Sequence, residues 1–160
     1  ELKRSQRELG ATMLYVTHDQ TEAMTMATRI GVLERGRLVQ VGSPRNIYED
    51  PVNTYVATRL GSPSINLVPR SLFPGVAAPA ATVTIGVRTE HLRIRRSDGA
   101  AGRVKRVEHL GDQNHLHVTL ADTDVVVLTD PDEGLGVGDC VSLELTAPLF
   151  FGADGARLRH

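Results

Sequence analysis

Apolar and polar positions alternate in two different styles along this chain, and the change falls near residue 61. Glu1 to Leu9 is polar apart from Leu2 and Leu9, seven positions apart, which predicts the end of an amphipathic helix stopped at Gly10. Thr12-Met13-Leu14-Tyr15-Val16-Thr17 is short and almost wholly apolar, as in a strand buried on both faces of a parallel sheet. His18, Asp19 and Gln20 come next. Asp19 and Glu22 have capping-box spacing, so a helix is expected to begin there, with Ala23, Met24, Met26 and Ala27 on its apolar face. Strands are predicted at Ile30 to Leu33 and Leu38 to Val41, joined by a hairpin turn through Glu34-Arg35-Gly36-Arg37. Ser43 before Pro44 and Asp50 before Pro51 each read as a cap followed by proline at the first helical position. They predict helices over Pro44 to Glu49 and Val52 to Leu60, with Tyr48, Tyr55, Val56 and Leu60 as core contacts.

After Gly61 the pattern changes. Ser62-Pro63-Ser64 is turn-rich, and Pro69 through Pro79 is rich in Pro, Ala and Gly. Short strand-like runs then alternate with turn signals: Thr82 to Val87, Gly102 to His109, His115 to Leu120, Asp124 to Leu128 and Cys140 to Leu145. Several short strands with close turns predict a small barrel or sandwich. The organisation read here is an α/β portion over residues 1–61 and an all-β domain over residues 62–160.

Composition narrows the function classes. The chain has 160 residues, 41% apolar and 23% charged, within the ordinary range of globular proteins and long enough to bury a core. Its formal net charge of -1 excludes a strongly basic nucleic-acid binder and an acidic disordered tail. Cys140 is the single cysteine, so no intrachain disulfide or thiolate metal cluster forms, and it reads as a small buried residue in a reducing cytoplasm. No run approaches the roughly 18 apolar residues of a membrane span. The first residues are charged, without the apolar core of a secretory leader. The chain has no initiator Met and opens inside a helical pattern, which reads as a fragment of something longer.

Several residues carry candidate chemistry. His18 falls where a parallel strand would end, the edge at which open α/β sheets bind ligands. Its imidazole can donate to a phosphate oxygen, or it can simply orient the following helix. His115 and His117 share one face of a predicted strand near His109, so a zinc site stands beside a reading of exposed barrel histidines, with Leu116, Val118 and Leu120 on the buried face. Arg93, Arg95 and Arg96 form one basic cluster and Arg103, Lys105 and Arg106 another. Each fits a small anion or sugar, or a solvated face. With no Trp and 4% aromatic residues, base-stacking is poorly served. Phe150 and Phe151 read either as a final strand with one ring inward or as a dimer contact through the other ring.

Ordered segments of the chain resemble a known family. Leu14-Tyr15-Val16-Thr17-His18-Asp19-Gln20-Thr21-Glu22-Ala23 resembles the switch-histidine segment of ATP-binding-cassette (ABC) ATPases. The resemblance continues through Ile30 to Gly42, Pro44 to Tyr48 with Asp50-Pro51, and Tyr55-Val56-Ala57 with Leu60-Gly61-Ser62-Pro63 and Asn66. Ile85-Gly86-Val87-Arg88-Thr89-Glu90-His91-Leu92 resembles the G-(I/V)-R-P-E-H motif of the regulatory domain in the sugar-importer subfamily, with Thr89 where Pro is usual, and Val107 to Gly111 resembles its next strand and turn. The chain is thus similar to the carboxyl-terminal half of a maltose- or glycerol-phosphate-transporter-type ATPase subunit. The resemblance implies an α/β remnant of a nucleotide-binding domain, followed by an oligomer-binding-fold-like barrel called the TOBE domain. It implies that His18 contacts the γ-phosphate of ATP, with ATP and Mg2+ as cofactors of the full-length protein and none in the fragment. It also implies a cytoplasmic homodimer engaged by transmembrane permease subunits, reaching the membrane only through them and binding no nucleic acid.

The chain has no G-x-x-x-x-G-K-(S/T) and no Leu-Ser-Gly-Gly-Gln signature. It also lacks the family's acidic strand with the magnesium-binding Asp and catalytic Glu, and these elements lie amino-terminal to the matching part in the family. Without them phosphoryl transfer has neither positioning nor charge neutralisation, so this chain alone is expected to be inactive. A second reading is a standalone, non-catalytic dimerisation or ligand-sensing module. An apolar strand at Met13 to Val16 without its neighbours is an edge hazard, so residues 1–60 are expected to be rearranged or paired with a second copy.

Overall fold

The computed structural model describes residues 4, 6, 8 and 10–159. Of the opening helix expected over Glu1 to Leu9, Arg4, Gln6 and Glu8 are helical, and Arg4 pairs with Glu8 at 2.8 Å. Leu2 and Leu9, on which that expectation rested, lie outside the described residues.

The first well-formed helix, α1 (Gln20–Met26), begins where its cap predicts. The Asp19 carboxylate accepts from the N–H groups of Thr21 and Glu22 at 2.7 and 3.0 Å, satisfying two of the donors that a helix start leaves open. The capping box is only half made. Asp19 N–H goes to Thr17 Oγ1, and Glu22 instead accepts from the hydroxyls of Thr17 and Tyr15.

Strands β1 (Ile30–Glu34) and β2 (Arg37–Gly42) form an antiparallel hairpin. Its two turn residues, Arg35 and Gly36, have φ of 49° and 78°, the left-handed pair of a primed turn that matches the twist of the strands. Helices α2 (Pro44–Glu49) and α3 (Thr54–Ala57) pack on the hairpin, and Ile30, Val32, Ile47, Val56 and Leu60 form the core between them. Ser43 caps α2 as its spacing predicts. The cap of α3 is Asn53 and not Asp50, so the second helix is shorter than expected. Asp50 is drawn instead to the guanidinium groups of Arg159 and Arg157, which tie down the end of the chain.

The buried strand expected over Met13 to Val16 is absent. Residues 11–17 carry no regular structure, and Leu14 and Val16 are 94% and 83% exposed. A buried parallel strand needs neighbouring strands that accept from its N–H groups and donate to its C=O groups. No described strand lies beside this one, so its backbone turns to water.

The rest of the chain builds two antiparallel sheets around one core. β3 (Asn66–Pro69), β4 (Thr84–Val87), β10 (Leu149–Phe151) and β11 (Arg157–Leu158) form the first, in the order β11-β10-β4-β3. β5 (Leu92–Arg96), β6 (Gly102–His109), β7 (Asn114–Leu120), β8 (Thr123–Thr129) and β9 (Cys140–Leu145) form the second, in the order β5-β9-β6-β7-β8. Alternate residues, among them Ile85, Val87, Val104, Leu116, Val118, Val127 and Phe150, point into the shared core. The result is a small α/β portion followed by an all-β, barrel-like domain whose backbone ladder does not close. Between β3 and β8 the carboxamide of Asn66 donates to Val126 C=O and accepts from Val126 N–H, both at 2.8 Å. One side chain thus supplies the hydrogen bonds that a neighbouring strand would have made at that edge.

Candidate functional site

His18 sits directly before the Asp19 cap, at the mouth of α1, and is exposed. It is not at the end of a strand, because the strand that was to carry it is missing from the described residues. The neighbouring carboxylates are engaged, Asp19 in capping and Glu22 with Thr17 and Tyr15. Glu22 also raises the pKa of the Tyr15 hydroxyl above its ordinary value by accepting its proton in a hydrogen bond. Taken alone, these residues fit at most a single contact to the terminal phosphate of a nucleotide. They do not form a pocket for ATP and Mg2+, since the chain supplies neither a phosphate cradle nor metal carboxylates.

The densest polar site lies where the α/β portion meets the barrel, on the Gly86-Val87-Arg88-Thr89-Glu90-His91 motif. Arg88 is 3% exposed. Its guanidinium donates to Ala57 C=O at 3.1 Å, to Leu60 C=O, and to Tyr48 C=O at 2.9 Å. Tyr48 and Ala57 lie in the last turns of α2 and α3, whose carbonyls have no partner within the helix and form the negative end of the helix dipole. The cation also stacks on the Tyr48 ring, 3.8 Å from its centroid. The Tyr48 hydroxyl then donates to Glu90 Oε1 at 2.6 Å, and Thr89 Oγ1 donates to Glu90 Oε2 at 3.1 Å.

This arrangement shifts three titrations. Burial lowers the Arg88 pKa against the pull of Tyr48 and Glu90. Burial and the bond to Glu90 push Tyr48 up to about 12. For Glu90 burial acts upward, but the bonds from Tyr48 and Thr89 and the peptide N–H outweigh it and hold the carboxyl below its usual range. Two glycines make the approach possible. A Cβ on Gly61, where φ is +110°, would lie 3.0 Å from Arg88 Nη1 and 3.1 Å from the Tyr48 ring. A Cβ on Gly86 would lie 2.7 Å from the Phe151 ring.

The other candidates resolve as follows. Phe150 and Phe151 are 4% and 0% exposed, which removes the expected dimer contact through an outward ring. Phe150 enters the barrel core, and Phe151 packs with Ala57 and Ile65 at the junction. Adjacent strand residues point to opposite faces, and here the second face is covered by the α/β portion. His115 and His117 do share a face, but both turn toward Glu108, at 3.9 and 3.3 Å, and Arg106 joins the same carboxylate at 2.6 Å. Hydrogen bonding to His117 lowers the Glu108 pKa. His109 pairs with Asn114, and among the described residues no cluster of three His, Cys, Asp or Glu side chains is arranged to hold a metal ion.

The basic clusters are largely a solvated face. Arg96 pairs with Asp139 and Lys105 with Asp124. Arg93 and Arg95 line an open cleft of about 430 Å³ that also holds Glu90, Asp112, Asp130 and Glu133, so the cleft is mixed in charge. Cys140 is half-buried rather than a core residue. Among the described residues no helix is long and apolar enough to cross a membrane.

Sequence reasoning named Tyr48 only as a core contact, and Arg88 and Glu90 only as members of the motif, none of them as a site residue. Arginine is almost never fully buried, so an Arg directly after a strand signal reads as surface. The available clue was Asp50-Pro51, which stops α2 and leaves the carbonyls of its last turn without partners in the helix.

Comparison with known proteins now bears on this geometry. Residues 85–148 match the TOBE domain family. Over 99% of its length the chain is 42% identical to the sn-glycerol-3-phosphate import ATP-binding protein UgpC of Brucella abortus biovar 1 (strain 9-941), covering 50% of that protein. The UgpC of Rhizobium meliloti (strain 1021) is 46% identical over 79% of this chain and 40% of its own. That of Vibrio vulnificus (strain YJ016) is 36% identical over 87% of this chain and 43% of its own. The chain spans about half the length of the curated relatives it matches. It belongs, with its TOBE domain, to the ATP-binding subunits of ABC importers, and corresponds to the carboxyl-terminal portion of such a subunit.

Proposed function

We propose that this chain is the carboxyl-terminal portion of the ATP-hydrolysing subunit of an importer for sn-glycerol-3-phosphate or a related sugar phosphate or polyol phosphate. The observation that carries the reading is the alignment of 99% of the chain, at 42% identity, with about half of an import ATP-binding protein. In the complete protein His18 is the residue that touches the terminal phosphate of ATP, and the phosphate loop and the Mg2+ ligands come from the other half. A hydrogen bond that forms only when the site closes stabilises the transition state more than bound substrate. The subunit works as a cytoplasmic homodimer, peripheral to the membrane, with transmembrane permease subunits as partners. The chain taken alone does not turn over ATP.

The exposed apolar side chains of the α/β portion support this reading over a standalone sensing module. Leu33, Leu38 and Val41 lie bare on the outer face of the hairpin, and Leu14 and Val16 have no described neighbour to bury them. The rest of a nucleotide-binding domain gives these side chains something to pack on.

The test is the longer protein that contains this chain, purified with and without His18→Ala and assayed for ATP binding and phosphate release. The expected result is nucleotide binding retained and kcat lowered by about 10²-fold or more, the scale of losing one transition-state hydrogen bond. Unchanged turnover overturns the role of His18. A longer sequence without a phosphate loop overturns the ATPase reading and leaves the non-catalytic module.

A further inference from the structure

We infer that Arg88 is a latch that fixes the barrel onto residues 43–61, so that the two parts of the chain move as one body. The inference does not depend on the transport reading. Three separate stretches end on this one side chain: Tyr48 at the end of α2, Ala57 at the end of α3, and Leu60 in the connection to the barrel. No covalent continuity requires this. Residues 58–65, which connect α3 to β3, carry no helix or strand.

Arginine suits the position for a geometric reason. Its planar fork places two nitrogens on carbonyls that diverge, while its face lies on an aromatic ring, which a lysine ammonium cannot do at once. No carboxylate forms an ion pair with Arg88 among the described residues, and Glu90 is held by Tyr48 and Thr89. Carbonyl dipoles from the opposite side of the junction therefore hold Nη1 and Nη2 of the buried cation, while its Nε has no hydrogen-bond partner. Opening the junction strips the cation of its bonds to Tyr48, Ala57 and Leu60, so small displacements are resisted steeply. Phe151 packing on Ala57 and Ile65 gives the same junction an apolar floor. A force reaching α2 or α3 is thus passed to β4 and the barrel without an intervening hinge.

The test uses the full chain carrying Cys140→Ser, with spin labels at Arg45→Cys in α2 and Asp122→Cys in the turn between β7 and β8, both exposed. The parent is expected to give one narrow distance distribution, and Arg88→Met a broad one. Amide exchange at residues 56–59 should accelerate roughly 10- to 100-fold in Arg88→Met, the scale of losing hydrogen bonds to a charged group. Amides in β7 should stay within about twofold of the parent, and Arg88→Lys should fall between the two. An unchanged distance distribution in Arg88→Met overturns the latch. So does equal loss of protection in β7, which makes Arg88 a residue of barrel stability alone. Should Arg88→Met fail to fold, Tyr48→Leu decides: broadening supports the latch, and a parent-like distribution overturns it.

Discussion

The two regions of this molecule treat their apolar side chains differently. In the barrel, large hydrophobic residues are inside, and among the described residues only Val83, Leu110 and Val137 stand out in water. In the shorter first region, Met13, Leu14, Tyr15, Val16, Leu33, Leu38, Val41 and Val52 are all exposed. Singly exposed apolar residues are ordinary, but neighbouring ones on the face of a hairpin mark a surface made for contact. The barrel has two sheets to close over one core. The first region has one hairpin and short helices, enough to bury one face of the hairpin and not the other. The contrast separates a unit closed over its core from one whose smaller core leaves one face of the hairpin bare.

The strongest way to break that contrast is at the ring shared by both regions. Phe151→Ala should cost about 3–5 kcal/mol in denaturant unfolding, the scale of a buried aromatic truncation. A loss below ~1 kcal/mol would mean that the junction is not packed as a core. Next is the edge of the barrel. Asn66→Ala leaves the N–H and C=O of Val126 without their side-chain partner, for an expected cost of about 1–3 kcal/mol, read by faster exchange of the Val126 amide. Stability lost without faster exchange at Val126 would place the role of Asn66 elsewhere.

Alkali should loosen the junction before the barrel. Tyr48 is held neutral up to about 12 by burial and by its bond to Glu90. A raised pKa contributes stability that is whole below the unfolded value near 10 and is lost as pH climbs through about 12. Protease cleavage within residues 43–61 should therefore rise between pH 10 and 12, in step with the tyrosinate absorbance of Tyr48 and ahead of any loss in the barrel. Cleavage that does not follow the tyrosinate signal removes Tyr48 from the junction's account. The smallest effect is expected on the open face: Leu38→Ser should change stability by no more than about 0.5 kcal/mol. The same change should reduce self-association in sedimentation, and a large destabilisation would show that this face is already packed in solution.

Local signals in the sequence carried a long way. The Arg35-Gly36 turn, the Asp19 and Ser43 caps and the period-two runs of β6, β7, β8 and β9 all lie where the residues predicted, because each is set by dihedral preferences and side-chain bonds within a few residues. Strands β3, β5 and β11 escaped for related reasons. Asn66–Pro69 is short and ends in proline, Leu92–Arg96 alternates apolar with arginine and reads as a basic cluster, and Arg157–Leu158 is too short to carry a period. The motif on which Arg88 sits was legible as a resemblance, but its contacts were not.

What the sequence determined by itself is the order of most elements, the Arg35-Gly36 turn, the Asp19 and Ser43 caps, and kinship with an importer subunit. Tertiary structure alone decided that Met13 to Val16 is not a strand, that neither Phe150 nor Phe151 faces water, and that an arginine lies buried between two helix ends. The physical reason is the same in each case. Burial and strand pairing are properties of whatever packs alongside a segment, and that neighbour is distant in the chain or, for Met13 to Val16, not among the residues described.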